Sequence, residues 1–420
     1  MNKSLRRLFF GFVPQNSEEN RDQKLSITFV WYVIMIYLTN VFEIMGDMFG
    51  ETAAGYLGYI TWFNKGLLLF LLLLNLFDML IRCRKSLILL VFVLMITIII
   101  SAIIVPEDSR FYEQVRDFII ICLPPMLVVS NMAHYHTLFR GLSRMSVPIL
   151  LSSGILLLVS FRFSFPDYYM GFSNAMTIPI CIAVYDFFGY GKITRLLLAG
   201  MGLTSVLVLG SRGALLSISA YIVTCYLFTN KIRKDGTRRK SFEPKKLMVV
   251  IPAVLLVIYS RTIIQVAYDF LYARGILSRT LWTFLNHYGS STRSGIYSEY
   301  LTGIREHPFT IRGIGGDSVL SGAYAHNFII EALAEFGVII GGIFLLIIIV
   351  YVFKLYTTAR KKEYYEMGNM LFCASLPIMV VSGTFWNTPF FWSWFAVMVK
   401  HTKVKTQQRI YKEKQIGKTA

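Results

Sequence analysis

The sequence predicts an all-α polytopic membrane protein of about twelve transmembrane helices. Three observations carry this. Apolar residues make up 55% of the 420, and only 16% are charged. Apolar runs close to the ~20 residues that a helix needs to cross a bilayer recur from Leu25 onward. Between the runs, Lys and Arg are dense in alternate loops, as in a chain that threads a membrane repeatedly. Such runs span only as helices, because hydrocarbon offers no partner to free backbone N–H and C=O groups.

The chain opens on "MNKSLRRLFFGFVPQNSEENRDQK", which is basic and polar. It lacks the apolar core and small-residue cleavage site of a signal peptide, so the first span is expected to act as an anchor. Spans are expected near 25–45, 57–80, 87–105, 118–136, 148–163, 174–190, 195–210, 213–229, 247–263, 336–355, 369–386 and 389–400. Pro124-Pro125 falls inside the fourth and predicts a kink or break there. The last span is short, and an eleven-span arrangement would leave the basic tail outside. Charge decides the matter, because Lys and Arg accumulate on the cytoplasmic side. With the N-terminus inside, 31 of the 42 Lys and Arg fall in cytoplasmic segments, including the seven of 400–420. Twelve spans with both termini cytoplasmic follow.

The net charge of +18 is therefore mainly a topology signal. A nucleic-acid surface gathers basic residues on one face with stacking aromatics. Here they are scattered over short loops, so no nucleic-acid partner is expected. The "KIRKDGTRRK" loop suits anionic membrane lipid, as such loops ordinarily do. Cys83, Cys122, Cys181, Cys225 and Cys373 all lie in or beside apolar spans, with no disulfide framework and no metal-binding spacing. They read as small apolar helix residues.

Three regions result: helices one to nine with short loops (1–263), a large extracytoplasmic loop (264–335), and the last three helices with the basic tail (336–420). In the large loop, "TRSGIYSEYLTGIREHP" places Ile296, Tyr297, Tyr300, Leu301 and Ile304 at helical spacing. Ser291 or Thr292 is the expected cap, and Pro308 closes the helix. An amphipathic helix on the outer membrane face is expected. "TIRGIGGDSVLSGAYAHN" follows, with four glycines and no period, and reads as a tight folded loop.

The candidate chemistry gathers at the outer face. Arg212 lies in "VLVLGSRGALLSI", between two spans joined by almost nothing. Arg293 opens the loop helix, Arg305 and Arg312 flank the glycine loop, and Arg162 is near the outer end of the fifth span. Arginines here run against the positive-inside bias. A guanidinium offers a planar fork that matches phosphate oxygens and stays charged in a dry site. Interfacial ion pairing is the competing account, since 264–326 holds five arginines and four acids. His326 stands before the tenth span and can act as a base near neutral pH. Asn327 beside it suits orienting a ring or a substrate. Glu331 follows Asn327 by four residues and shares its helix face. Glu335 has no assigned role. Lys65, within the second span, is a site candidate because an intramembrane lysine is costly. No DxD, HExxH or paired-carboxylate spacing points to a metal, and "GIGGDS" lacks the strand and lysine of a P-loop.

"SRGALL" after a span, then "STRSGIYSEYLTGIREHPFTIRGIGGDS", then "AHNFIIEALAEFGVIIGG" resembles the O-antigen ligase and polymerase superfamily, which includes the Wzy-type polysaccharide polymerases and the WaaL-like ligases. The resemblance covers roughly 209–342. It departs at one point: the ligase pattern favours a small residue three positions after the helix glycine, whereas Gly337 is followed by "VII" and the next glycine is Gly341. That departure favours the polymerase branch.

The resemblance implies a GT-C-like, metal-independent glycosyltransferase of a bacterial cytoplasmic membrane, acting without a cofactor on polyprenyl-pyrophosphate-linked oligosaccharides. It implies His326 as the catalytic base and Arg212 and Arg293 as pyrophosphate ligands. Asn327, Arg312, Arg305 and Tyr297 are the further candidates for substrate contact. A chain-length regulator and a flippase are the partners such an enzyme implies. Two other readings stand beside it: a ligase or protein O-oligosaccharyltransferase moving the glycan to a second acceptor, and a flippase of the same lipid-linked glycan. A transporter is expected to show related halves and discontinuous helices meeting at the midplane. No repeat is found, and the polar groups gather at one face.

Overall fold

The computed structural model describes residues 17–81, 83–105, 109–163, 169–228, 231–232, 238–239, 260–274, 278–286, 293–322, 324–357 and 364–402. Among them the chain is helical apart from a two-residue antiparallel ribbon, β1 (Lys231–Ile232) with β2 (Arg238–Arg239). Among the described residues six helices are long and apolar enough to cross a membrane, so the chain is a helical multi-pass membrane protein. They are α1 (Ser17–Phe49), α2 (Glu51–Ile81), α3 (Lys85–Ile104), α6 (His136–Phe163), α7 (Met170–Tyr190) and α13 (Phe328–Thr357). Two shorter apolar helices, α8 (Ile193–Leu209) and α9 (Arg212–Phe228), match the seventh and eighth expected spans.

The residues divide into two compact units, the first comprising 1–71, 136–291 and 376–381 and the second the rest. The long loop is shared, with 264–291 in the first unit and 292–335 in the second. The N-terminal segment 1–16, residues 247–259 of the ninth expected span, the proposed caps Ser291 and Thr292, and the tail from 403 lie outside the described residues.

In the first unit α7 is the central helix, buried along most of its length and packed on α1, α6, α8 and α9. Small residues let the helices approach, as membrane helices require. Gly202 lies against Leu150, Ile180 and Met176, and the Ser205 hydroxyl donates to the Ser153 carbonyl at 3.1 Å. At the other end Arg195 meets the Asp186 carboxylate at 3.3 Å and donates to the Ser143 carbonyl at 2.7 Å, tying α6, α7 and α8 together. Two further helices, α10 (Ser260–Tyr272) and α11 (Arg279–Asn286), complete the described part of this unit's loop.

The second unit has an aromatic core. Phe118, Trp386, Trp392 and Phe391 are all buried, with Phe118 edge-on to Trp386 (5.7 Å) and Trp392 (5.2 Å). Around it lie α4 (Ser109–Asp117), α5 (Leu123–Ser130), α14 (Tyr364–Cys373) and α16 (Pro389–Thr402), while α12 (Arg293–Glu306) packs on α13.

Three expected spans take a different form. The fourth starts at Ser109, because "SRFYEQVRD" is amphipathic and buries Phe111 rather than forming an apolar run. A π-helical turn, Phe118–Cys122, then precedes Pro124-Pro125. The wider turn accommodates prolines that supply no N–H to the helix ladder. The eleventh is a broken element: α14, then α15 (Leu376–Val381), then a 3-10 turn, Phe385–Asn387. The tenth starts earlier, at Phe328, and breaks at Gly337.

Candidate active site

The site is built on the break in α13. Gly337 has φ 69° and ψ 170°, a backbone state that side-chain-bearing residues avoid. The break turns backbone groups of α13 to partners outside the helix. The Glu335 carbonyl accepts from Arg312 N–H (2.8 Å) and Gly313 N–H (3.0 Å), and Val338 N–H donates to the Pro308 carbonyl (2.8 Å). The glycine loop thus docks onto the break through main-chain bonds. Beyond the break, Gly341 is pressed against the Ala332 carbonyl, where no Cβ fits.

The loop is tight for the reason its composition suggests. Gly313 and Gly315 hold φ of 77° and 76° while their backbones pass close to Ser101 and Phe111. The Ser101 hydroxyl accepts from Ile314 N–H at 3.0 Å. Two buried carboxylates of α13 fasten the surroundings. Glu335 accepts from Gly315 N–H (2.7 Å) on one oxygen and from the Trp386 indole N–H (2.8 Å) on the other. Glu331 accepts from the Thr384 hydroxyl and from Phe385 N–H (3.3 Å). Every one of these four oxygens has a protein donor, as buried carboxylates require.

A third acid lies at the other end of the loop. Asp317, on the 3-10 turn Gly316–Leu320, is fully buried. One of its oxygens accepts from Arg110 (3.3 Å), the Tyr300 hydroxyl (3.3 Å) and Ala325 N–H (3.1 Å). Burial pushes its carboxyl above the ordinary range, while Arg110 and these hydrogen bonds pull it back. Burial and the neighbouring Asp317 charge together push the Tyr300 phenol up. The Arg110 guanidinium lies over the Tyr324 ring, 5.2 Å from its centroid.

His326 follows directly. It is the one non-glycine residue with positive φ (52°) among the described residues. Its ring packs on Tyr324 with centroids 3.6 Å apart. Asn327 then caps α13: its side-chain oxygen accepts from Ile329 N–H (2.9 Å) and Ile330 N–H (3.4 Å), and its carbonyl from Glu331 N–H (2.9 Å). This N-cap geometry orients the helix mouth. The oxygen that could have oriented a ring is engaged in the cap.

Comparison of the chain with protein-family models gives no match, and no curated protein matches it. The site must be read from its own residues. His326, Asn327, Arg305, Arg312, Tyr297 and Arg293 all belong to the second unit. Arg312 bridges two elements, donating to the Ala334 carbonyl and the Gly303 carbonyl, each at 3.2 Å; burial lowers its pKa. Two of its five N–H donors are thus held by the fold. Arg305 is exposed in the last turn of α12, and Tyr297 is half-buried. Arg293 is the first residue of α12.

The apolar stripe of α12 packs against protein rather than lying on a membrane face. Tyr300 and Ile304 are buried with Ala325 and Ala334, flanked by Leu320, Ile330 and Leu333. Leu301 of that stripe is exposed. Arg212 belongs to the first unit, half-buried at the first position of α9. Ser211 caps that helix through Ala214 N–H (3.4 Å), and Ser211 N–H donates to the Ser173 hydroxyl (3.0 Å). Lys65 is exposed with its ammonium 5.0 Å from the Trp62 ring centroid, a cation–π contact that answers for it without a site.

Sequence reasoning missed Arg110, Tyr324, Thr384 and Trp386. Arg110 carried the same signal as Arg212, an arginine in an expected outer loop. Glu107 and Asp108 stand beside it in the sequence.

Proposed function

We propose that the chain is a polysaccharide repeat-unit polymerase, an inverting, metal-independent glycosyltransferase with twelve spans and a GT-C-like arrangement. It acts at the outer face of a bacterial cytoplasmic membrane on polyprenyl-pyrophosphate-linked oligosaccharides. The observation that carries this reading is His326: an imidazole in a left-handed backbone state, at the mouth of a broken helix, with pinned residues on both sides. Strained residues that the surroundings over-determine cluster at functional sites. The order of the SRG turn, the arginine opening α12 and the His-Asn pair adds support from the sequence.

The reaction follows from these groups. His326 takes the proton of an acceptor hydroxyl as its oxygen attacks the anomeric carbon of the donor sugar. The new C–O bond forms as the anomeric carbon–phosphate oxygen bond breaks, and polyprenyl pyrophosphate leaves. Arg293 offsets the charge that develops on it, the role a divalent ion fills elsewhere, and the family resemblance adds Arg212 to that role.

The test is an in vitro assay of purified protein with a lipid-linked repeat unit. A ladder of products supports a polymerase. A single transfer to a second acceptor supports the ligase reading, and no new bond supports the flippase. His326→Ala is expected to abolish chain extension while leaving the protein inserted and folded. Near-normal polymer length in that variant overturns His326 as the base.

A further inference from the structure

We propose that Asp317 is the positioning residue of His326: together with Arg110 it fixes the backbone and the ring of that histidine at the mouth of α13. The inference deepens the reading of His326 as the base, and rests on it for its catalytic meaning.

One oxygen of Asp317 gathers three elements. Its donors come from α4 (Arg110, 3.3 Å), from α12 (Tyr300, 3.3 Å) and from the segment leading into α13 (Ala325 N–H, 3.1 Å). Ala325 is the residue immediately before His326. That hydrogen bond pins the Tyr324–Ala325 peptide, one peptide before the left-handed residue. The Asn327 cap pins the residue that follows. With both neighbours held, the φ of 52° at His326 cannot relax to the right-handed region that a bulky side chain prefers.

The ring is held by the same pair. The Arg110 guanidinium that meets Asp317 also covers Tyr324, and the Tyr324 ring packs on His326. Carboxylate, guanidinium, phenol ring and imidazole form one continuous chain of contacts, the two rings tilted 43° to each other. A purely structural ion pair is the competing account. Buried ion pairs contribute little net stability against apolar replacements of similar volume, so stability alone gives a weak reason for this one. What it uniquely does is hold the main chain and the aromatic neighbour of one strained residue.

The test uses the full chain in detergent micelles, with Asp317→Leu, which removes the acceptor but keeps the branched side-chain skeleton, and Asp317→Asn, which keeps an acceptor oxygen. The first readout is hydrogen–deuterium exchange at the imidazole C2 position, resolved for each histidine by mass spectrometry. It needs no substrate. Asp317→Leu is expected to change the His326 rate well beyond the scatter of the other histidines and leave exposed His307 unchanged. Asp317→Asn is expected to restore part of the change. The second readout is steady-state chain extension: kcat falls on the order of 100-fold, as for a misplaced catalytic group, with KM within about twofold.

Asp317→Leu protein that folds and keeps the wild-type His326 exchange and kcat overturns the proposal. If Asp317→Leu does not fold, Arg110→Met carries the same test, and an unchanged His326 rate there also overturns it. If wild type forms no polymer while the His326 rate still follows Asp317, the polymerase reading falls and the positioning stands. If wild type and Asp317→Leu polymerise equally well, the positioning falls and the polymerase reading stands.

Discussion

Alanine at Gly337, Gly341 and Gly342 separates a broken α13 from a straight one. In a straight membrane helix all three substitutions gain helix propensity, about 0.5–1 kcal/mol each. The structure sets them apart. At Gly342 an added Cβ meets nothing within 4 Å, so only the propensity gain remains. At Gly341 it would collide with the Ala332 carbonyl oxygen and lie 2.9 Å from that carbonyl carbon and 3.1 Å from Leu333 Cα. All three obstacles are main chain, so relief means opening the elbow between the two halves of the helix. Overpacking costs about 1–3 kcal/mol, and an unyielding backbone puts this case at the upper end. At Gly337 the backbone state itself is the obstacle, at about 1–3 kcal/mol. There the Cβ also sits 3.2 Å from main-chain atoms of Pro308, Phe309 and Thr310. The extremes should therefore lie roughly 3–4 kcal/mol apart. Reversible unfolding of the purified variants in mixed micelles by SDS titration reads the order directly. Gly342→Ala is expected at or above wild type, with Gly337→Ala and Gly341→Ala below it. Equal stability for Gly341→Ala and Gly342→Ala would refute the elbow, and with it the docking of the glycine loop.

Three further predictions concern the same unit. Glu335→Gln leaves one acceptor and turns an amide NH2 toward either Gly315 N–H or the Trp386 indole, so it should cost about 1–3 kcal/mol and shift tryptophan emission, both read on the purified variant. EDTA should leave chain extension by purified protein at its untreated rate if, as proposed, arginines take the place of a metal; strong inhibition reversed by Mg²⁺ would count against that. The raised pKa of Asp317 gives a pH signature. The folded state binds this proton more tightly than the unfolded chain, so the contribution is complete below the unfolded Asp value of about 3.9 and is lost as pH rises through the folded value. Wild type minus Asp317→Asn stability should therefore rise on acidification over that window, and a flat difference would show that the shift is absent.

Periodicity made the helical, membrane-spanning character of the chain legible. Apolar runs located the helices, and "SRGALL" located a turn that is in fact only Gly210 and Ser211. The breaks were harder, because partners far along the chain decide them. Pro124-Pro125 marked the right place, while the form taken is the π turn just before it. Nothing local in "EFGVIIGG" says that Pro308 and Arg312 will claim the backbone groups freed at Gly337. The glycine that departs from the ligase spacing, Gly341, is the one that lets the two halves of α13 close on each other.

The same limit applies to the site. The chemistry-bearing residue types were readable, and their surroundings were not. Arg312 was legible as an outer-face arginine, yet its two carbonyl acceptors on α12 and α13 depend on how the helices pack. Arg110 and Asp317 lie 207 residues apart, so no spacing rule joins them. Glu331 and Glu335 share a helix face by their spacing, but that face turns to Thr384, Phe385, Trp386 and Gly315. This last point constrains the proposed reaction. A carboxylate serving as base must reach the acceptor hydroxyl. With all four Glu331 and Glu335 oxygens held by protein donors, neither glutamate is placed for that task, which supports the base role proposed for His326.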